Sequence, residues 1–417
     1  MLYHLFEYLH SQGIYFAGSG LMSYISFRVV CCALMAIVTA LWLGKYIIKK
    51  LREKQIGEEI RDLGLEGELS KKGTPTMGGI IIAVSILIPI LLFGDLTNVN
   101  NILLIVATAW LGFIGFLDDR AKLLKHNKDG LSGKKKIIAQ VVLGLVVGLT
   151  MCFSSQLGFR VGSGNGTPQE QEEIHSVVVE NNAKTTIPFV KNNEFDYSWL
   201  SPLKGEAGKW WTWILYILVI IFIITACSNG ANLTDGLDGL SAGVSAIVGT
   251  TLGILAYLSG HVVYAEYLNI MYIPASGEIA VYMAAMVGAL LGFLWYNTFP
   301  AKVFMGDTGS LMLGGVIGVC AVLIRKELLL PILCGVFLTE SLSVIIQTAY
   351  FKYTKKKYGT GVRIFRMSPL HHHFQKTNPD AILQKPRGID PEPRIVSRFW
   401  IVSIILAVLT IVTLKIR

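Results

Sequence analysis

Long apolar runs alternate with polar segments along nearly the whole chain, and this pattern predicts membrane helices. About 20 apolar residues in a helix cross the ~30 Å hydrocarbon core of a bilayer. Ten runs approach this length: 29–48, 78–94, 102–117, 137–153, 211–227, 240–258, 279–296, 311–324, 328–351 and 399–414. We therefore predict an all-α polytopic membrane protein of about ten transmembrane helices, in a single integral-membrane domain over 1–417.

Composition and loop charge predict the orientation of these helices. Hydrophobic residues make up 53% of the chain and charged residues 16%, whereas soluble proteins carry about 25% charged residues. Most of the 37 Lys and Arg residues fall in the alternate loops 49–77, 118–136 and 352–398. Because cytoplasmic loops are enriched in Lys and Arg, we predict that these loops are cytoplasmic and that both termini are extracytoplasmic. Topology then accounts for the net charge of +9, and we expect no nucleic-acid partner.

Segment 154–210 is unlike the rest of the chain because it is long, polar and rich in glycine at its start. The topology predicts an extracytoplasmic insert, in which Ser176–Val179 and Thr186–Val190 are candidate strands of a small β-hairpin. We find no internal repeat in the chain, which argues against a transporter built from inverted repeats.

Carboxylates are scarce in this chain, yet five of them lie at the predicted cytoplasmic ends of apolar runs. They are Asp118, Asp119, Asp235, Asp238 and Asp307. A carboxylate at the membrane boundary is costly unless it is paired, solvated or bound to a metal. A single one is most often a helix cap, but five on one face indicate a basin for a cation. Oxygen ligands near phosphates favour Mg²⁺.

The spacing of polar residues around these acids suits a diphosphate. Asn232, Asp235 and Asp238 are three residues apart, so on a helical turn they would share one face. Gly306 and Gly309 flank Asp307 and leave backbone N–H groups open to a phosphate.

Basic residues of the same predicted face complete this chemistry. Lys71, Lys122 and the run Lys134–Lys136 can neutralise phosphate oxygens, although each lysine alone is more often a topological anchor. Three consecutive histidines follow at 371–373. Because adjacent side chains point in different directions, we favour hydrogen bonding to a polar substrate over shared ligation of a metal ion.

These motifs together resemble the phospho-N-acetylmuramoyl-pentapeptide transferase family, within the polyprenyl-phosphate N-acetylhexosamine-1-phosphate transferases. The resemblance covers nearly the whole chain outside the insert. Its motifs are Lys71-x-Gly-Thr-Pro-Thr-Met-Gly-Gly, Asp118-Asp119, Asn232-Leu-Thr-Asp-Gly-Leu-Asp-Gly, Gly292-Phe-Leu-Trp-Tyr-Asn297, Phe304-Met-Gly-Asp-Thr-Gly-Ser, Gln347 and Pro369-Leu-His-His-His-Phe.

The resemblance implies an enzyme that transfers phospho-MurNAc-pentapeptide from UDP-MurNAc-pentapeptide to undecaprenyl phosphate, giving lipid I and UMP with Mg²⁺ as cofactor. This is the first membrane step of peptidoglycan synthesis, catalysed in a cleft on the cytoplasmic face of the bacterial plasma (inner) membrane. The family also implies a homodimer. It implies Asp118, Asp119 and Asp307 as catalytic residues and Asp307 as the metal ligand. The implied nucleotide-sugar site comprises Lys71, Lys122, Lys136, Asn232, Asp235, Asp238, Asn297, Phe304, Gln347, His371, His372 and His373.

Two other functions remain open from the residues alone. A sister transferase using UDP-GlcNAc predicts the same metal site but lacks the motifs at Lys71 and Pro369. An ion-coupled transporter or lipid flippase predicts acids near the bilayer midplane, whereas these lie at the boundary. For the transferase, we expect single displacement at phosphorus, with an aspartyl-phosphate intermediate on Asp118 or Asp119 as the alternative.

Overall fold

The computed structural model describes residues 1–15, 18–53, 73–125, 130–159, 182–189, 194–378, 380–386 and 388–414. Most of these residues are helical. The helices are α1 Leu2–Ser11, α2 Ile25–Glu53, α3 Gly79–Phe93, α4 Val99–Lys125, α5 Gly133–Phe153, α6 Gly205–Thr234, α7 Leu240–Ser259, α8 Val262–Leu268, α9 Gly277–Asn297, α10 Gly306–Leu323, α11 Leu330–Leu333, α12 Gly335–Tyr358, α13 Leu370–Gln375 and α14 Glu392–Thr413. Two strands, β1 Lys184–Thr186 and β2 Glu194–Asp196, lie between α5 and α6.

All ten predicted apolar runs coincide with helices, but not all of these helices have spanning length. In the described part of the chain, eight helices are long and apolar enough to cross a membrane. The run 78–94 forms only the 15-residue α3. The run 328–351 is broken between α11 and α12, where the axis bends by 76°. Counting this bent pair as one span gives nine. The polytopic helical architecture is therefore confirmed, and the count of ten stays a prediction.

Helix α10 is the centre of the bundle, because every residue from Thr308 to Leu323 is buried. Glycines let its neighbours approach closely. A Cβ added to Gly79 of α3 would lie 2.1 Å from the backbone nitrogen of Gly309, and one added to Gly115 of α4 would lie 2.2 Å from the carbonyl oxygen of Asp307. No larger residue fits either position without separating the helices. This packing brings the end of α4 against the start of α10.

Helix α6 is tied to α10 by a buried polar contact. The Ser228 hydroxyl donates to the carbonyl oxygen of Leu311, 2.9 Å away. The Gln140 amide of α5 donates in turn to the Ser228 hydroxyl at 3.0 Å. Buried polar groups are stable when they are hydrogen-bonded in this way. Helices α5, α6 and α10 are thereby held in one register.

The strands of the insert differ from those predicted. β1 and β2 pair antiparallel, with Lys184 opposite Asp196 and Thr186 opposite Glu194. The predicted strand Ser176–Val179 lies outside the described residues. The predicted strand Thr186–Val190 was wrong over its described part, since β1 ends at Thr186.

A buried ionic turn anchors the insert to the end of α10. Arg325, Lys326 and Glu327 are all buried. Lys326 Nζ donates to the Thr186 hydroxyl at 2.8 Å, and the backbone N–H of Thr186 donates to the Arg325 carbonyl oxygen at 2.9 Å. Burial lowers the pKa of Lys326 to about 8, although the neighbouring Glu327 carboxylate opposes this.

Candidate active site

Three aspartates converge where α4 meets the start of α10. Asp118 and Asp119 come from the last turns of α4, and Asp307 from the first turn of α10. One carboxylate oxygen of each lies within 4.8 Å of the others. Asp118 and Asp119 are buried, and Asp307 is half-buried. The structure therefore brings together the three residues that the resemblance implied as catalytic.

Asp119 caps the central helix. Its Oδ1 accepts from the backbone N–H of Asp307 at 3.1 Å. Its Oδ2 accepts from the backbone N–H of Thr308 at 2.9 Å and from the Thr308 hydroxyl at 2.6 Å. The first N–H groups of a helix have no partner within it, and the helix dipole favours a negative charge there. Both oxygens of Asp119 are thus already engaged by α10.

Two lysines neutralise the remaining acids. Lys122 Nζ lies 2.8 Å from Asp118 Oδ2 and 3.2 Å from Asp307 Oδ1. Lys136 Nζ, from the start of α5, lies 3.1 Å from Asp118 Oδ1 and 2.5 Å from Asp307 Oδ2. Its neighbours Lys134 and Lys135 are exposed. Of the three lysines in the basic run, Lys136 is therefore the one that contacts the aspartates. Three carboxylates and two ammonium groups together carry one net negative charge.

Asn232 joins this cluster, whereas the two aspartates spaced behind it do not share its face. Asn232 Nδ2 donates to Asp307 Oδ1 at 3.0 Å and to the Ser310 hydroxyl at 2.9 Å. The prediction of one shared face was wrong, because α6 ends at Thr234 and Asp235 is already its cap. Asp238 lies in the following turn, where its Oδ2 accepts from the backbone N–H of Ala301 at 3.0 Å.

Asn297 is the last residue of α9, and Phe304 lies on the segment that connects α9 to α10. Asn297 is buried, accepts from the backbone N–H of Gly239 at 3.1 Å and donates to the Val303 carbonyl at 2.9 Å. Asn297 thus braces the turn after α6 against this segment. Phe304 is half-buried, and its carbonyl oxygen accepts from the backbone N–H of Gly78 at 2.8 Å. The Thr-Pro-Thr-Met-Gly-Gly motif therefore lies beside Phe304, while Lys71 lies outside the described residues.

The three histidines of α13 have three different environments. His371 is fully buried, with its Nδ1 3.2 Å from Glu340 Oε2. His372 is half-buried, and its Nδ1 pairs with Gln375 Oε1 at 2.8 Å. His373 accepts at Nδ1 from the backbone N–H of Arg366 at 3.1 Å and donates from Nε2 to the Lys385 carbonyl at 2.8 Å. Both ring nitrogens of His373 are therefore occupied by backbone groups.

Gln347 of α12 braces the loop that carries the histidines. Its Oε1 accepts from the backbone N–H groups of Ile364 and Phe365, each at 3.0 Å. Its Nε2 donates to the Phe365 carbonyl at 3.1 Å. The side-chain amide of Gln347 is thus hydrogen-bonded to backbone groups, and in this way Gln347 positions the loop.

Arg366 organises the same loop from inside. Its guanidinium is buried and donates to four backbone carbonyl oxygens. These belong to Lys376, Gln384, Pro386 and Gly388, and the distance to Gly388 is 3.1 Å. Arginine has five donors and no acceptor, so it can act as an internal cation around which a chain folds.

Four residues of this region were missed by sequence reasoning. Thr308 and Ser310 lie close to Asp307 in the sequence motif. Only the structure shows that their side chains contact Asp119 and Asn232. Arg366 was indistinguishable from the other cations of its loop. Glu340, however, carries a signal, because a lone glutamate inside an apolar run is by default a candidate for function.

The donor set fits a hard divalent cation. All three acids and Asn232 offer oxygen ligands, which Mg²⁺ prefers. Asp119 is engaged by the helix N-terminus, so Asp307 and Asp118 are the residues with oxygens turned to the two ammonium groups. A cationic position between these two carboxylates is thus compatible with the structure.

Comparison with known proteins shows the family to which the chain belongs. The family profile of glycosyl transferase family 4 matches residues 101–325, which include the three aspartates. A phospho-N-acetylmuramoyl-pentapeptide-transferase of Parabacteroides distasonis is 54% identical, and those of Porphyromonas gingivalis and Flavobacterium johnsoniae are 53% and 50% identical. Each alignment covers 100% of both chains. The chain belongs to the phospho-N-acetylmuramoyl-pentapeptide transferase family. It is therefore a transferase, and its apolar helices are those of a multi-pass membrane protein.

Proposed function

We propose that this transferase moves phospho-MurNAc-pentapeptide from UDP-MurNAc-pentapeptide to undecaprenyl phosphate, releasing UMP and forming lipid I. One observation carries the proposal beyond the family name. Asp118, Asp119 and Asp307 converge with two lysines at the start of the buried helix α10. Carboxylates that can hold a cation and ammonium groups that can bind phosphate oxygens match two substrates that both carry phosphate.

We propose Mg²⁺ as the cofactor, held by Asp307 and Asp118. When bound, the ion would supply positive charge to the diphosphate of the donor. Asp119 takes a different part, because its oxygens hold the N-terminus of α10 and thereby fix the position of Asp307. Lys122 and Lys136 bring ammonium groups with three donors each to phosphate oxygens beside this position.

The reaction we propose is a single displacement. An oxygen of the lipid phosphate attacks the phosphorus that carries MurNAc, the bond from that phosphorus to the UMP oxygen breaks, and UMP leaves with the electron pair. A phosphate monoester has its second pKa near ~6, so the attacking phosphate needs little deprotonation at neutral pH. The larger barrier is the approach of two anions, which the lysines lower by neutralising charge.

The remaining site residues divide into pocket and support. Phe304 and Asp235, half-buried beside the cluster, are proposed to contact the nucleotide-sugar. Asn297, Gln347 and His373 are proposed to support the pocket, because their polar side-chain atoms are engaged by backbone groups.

The proposed location is the bacterial inner membrane, with the acid cluster at the cytoplasmic face. The lysine-rich loops next to the cluster support this orientation. A soluble nucleotide-sugar could then reach the cluster, and undecaprenyl phosphate could reach it from the bilayer. Following the family, we also propose a homodimer, which the mass of the detergent-solubilised protein would test.

The decisive experiment follows UMP release from purified protein with undecaprenyl phosphate and Mg²⁺. UDP-MurNAc-pentapeptide and UDP-GlcNAc are compared as donors, with Asp307→Asn as the inactive control. We expect UMP from the muramoyl donor alone, lost with EDTA and in the variant. UMP from UDP-GlcNAc alone would assign the protein a sister reaction. A labelled phospho-MurNAc-enzyme isolated without lipid acceptor would contradict single displacement.

A further inference from the structure

Glu340 and His371 form a buried pair that the reaction above does not use. Glu340 lies in α12, close after the bend, and His371 lies in the first turn of α13. Neither side chain has any exposed surface. A carboxylate buried in a membrane helix is costly unless it is paired, and within the described part of the chain the side chain of Glu340 is paired with His371. Glu340 Oε2 lies 3.2 Å from His371 Nδ1 and accepts from the His371 backbone N–H at 3.3 Å.

The opposite edge of the His371 ring touches the turn that follows α6. A Cβ added to Gly236 would lie 2.2 Å from His371 Nε2 and 2.8 Å from Cε1. The φ angle of Gly236 is not positive, so glycine is needed there for space and not for its backbone conformation. The turn Asp235-Gly236-Leu237-Asp238 therefore rests directly on the imidazole.

We infer that Glu340 and His371 are positioning residues, which act as a buttress that holds the 235–238 turn in place for the donor nucleotide-sugar. This inference rests on the proposed function. The Glu340 carboxylate accepts from the backbone N–H of His371 and also lies beside the imidazole, so it fixes the place of this residue against α12. The His371 ring limits how closely the 235–238 turn can pack against α13. Because His371 is fully buried, it acts on the donor through the turn.

The geometry predicts a kinetic effect on one substrate only. Glu340→Gln removes the charge that lies beside the His371 ring, and Gly236→Ala pushes the ring from the other side. At metal sites, loss of a partner that holds a histidine costs about 10- to 100-fold in function, and we take the lower end of that range for this pair. For both variants we expect the KM for UDP-MurNAc-pentapeptide to rise by about 10-fold. The KM for undecaprenyl phosphate should stay unchanged, because the pair acts on the 235–238 turn, which this inference assigns to the donor. A merely destabilised enzyme would lose apparent kcat with both KM values unchanged.

A double-mutant cycle through His371 provides the strictest test. In a His371→Ala background the ring is gone, so neither Glu340→Gln nor Gly236→Ala should raise the donor KM further. Glu327→Gln is the matched control, since it makes the same chemical change in a buried glutamate that faces Tyr197 of the insert. Its donor KM should equal that of the wild type.

Three results would overturn the inference: additive effects in the cycle, an equal rise in the lipid KM, or a wild-type donor KM in Glu340→Gln. If Glu340→Gln fails to fold, Gly236→Ala, His371→Ala and the double variant of these two positions still test the inference. Measurements of the melting temperature test this inference separately from the proposed function, because they do not require the enzyme to turn over substrate. Gly236→Ala should lower the melting temperature of the wild type but not of His371→Ala, even if the wild type released no UMP. A fall in both backgrounds would refute the contact.

Discussion

The two adjacent aspartates at the end of α4 should respond differently to the same substitution. Asp119→Asn changes the residue that caps the central helix, whereas Asp118→Asn changes a residue that faces two lysines. We expect the first variant to lose stability as well as activity. We expect the second to lose activity with a much smaller loss of stability, because Asp307 remains beside both ammonium groups.

The magnitude for Asp119→Asn follows from its three accepted hydrogen bonds. An amide has one oxygen, so it can serve either Thr308 or the backbone N–H of Asp307 but not both. The donor left facing the amide NH₂ group is buried and unsatisfied, which costs about 1–3 kcal/mol. Loss of the negative charge at the helix N-terminus adds up to about 2 kcal/mol. We therefore expect a destabilisation of about 2–4 kcal/mol.

The assay is thermal unfolding of the purified variants in one detergent, read by a thiol- or tryptophan-based signal and repeated at two protein concentrations. UMP release is measured on the same samples. Asp119→Asn should melt several degrees below the wild type, and Asp118→Asn should melt close to it. If Asp119→Asn melts with the wild type, or if Asp118→Asn falls as far, the capping argument fails.

Three further predictions use neighbouring features of the bundle. Gly79→Ala, which forces α3 away from α10, should destabilise the protein by about 1–3 kcal/mol in thermal unfolding, whereas Gly133→Ala, with nothing within 4 Å of its Cβ, should not. Lys136→Ala should lower the rate of UMP release by about 100-fold, and Lys135→Ala, its exposed neighbour, should retain the wild-type rate. The folded pKa of Lys326, about 8, lies below its ordinary value of 10.5, so the unfolded chain binds more protons between these values and stability should rise with pH there. Lys326→Met should abolish that rise, and a wild-type melting temperature that falls over this interval would contradict the assignment.

The hydrophobic pattern was enough to predict the helices, because membrane helices are defined by their own apolar length. It failed where tertiary packing decides. The 76° bend at Cys334 divides the apolar run 328–351, and nothing in that run marks Cys334 as the position of the bend. The predicted strand Thr186–Val190 was wrong over its described part, because the place of β1 depends on its hydrogen bond to Arg325, which is distant in sequence.

For the site, too, the sequence motifs predicted some features, and only the structure revealed the others. Motif chemistry identified the three aspartates, and the packing of glycines explains why they meet. Spacing alone misled for Asp235 and Asp238, because a period of three residues implies a shared face only while the helix continues. Gln347 and His373 belong to the right region, but their partners are backbone groups, which no side-chain pattern can reveal.

Arg366 has a consequence for how the loop after α12 can vary. Its guanidinium holds carbonyl oxygens of Lys376, Gln384, Pro386 and Gly388, and every residue type supplies a carbonyl. Arg366 therefore holds the loop at four points through the main chain, and these four hydrogen bonds do not depend on which side chains the four residues carry. Substitutions at these positions keep the carbonyl groups that Arg366 binds, so the sequence can diverge there between species without loss of these hydrogen bonds.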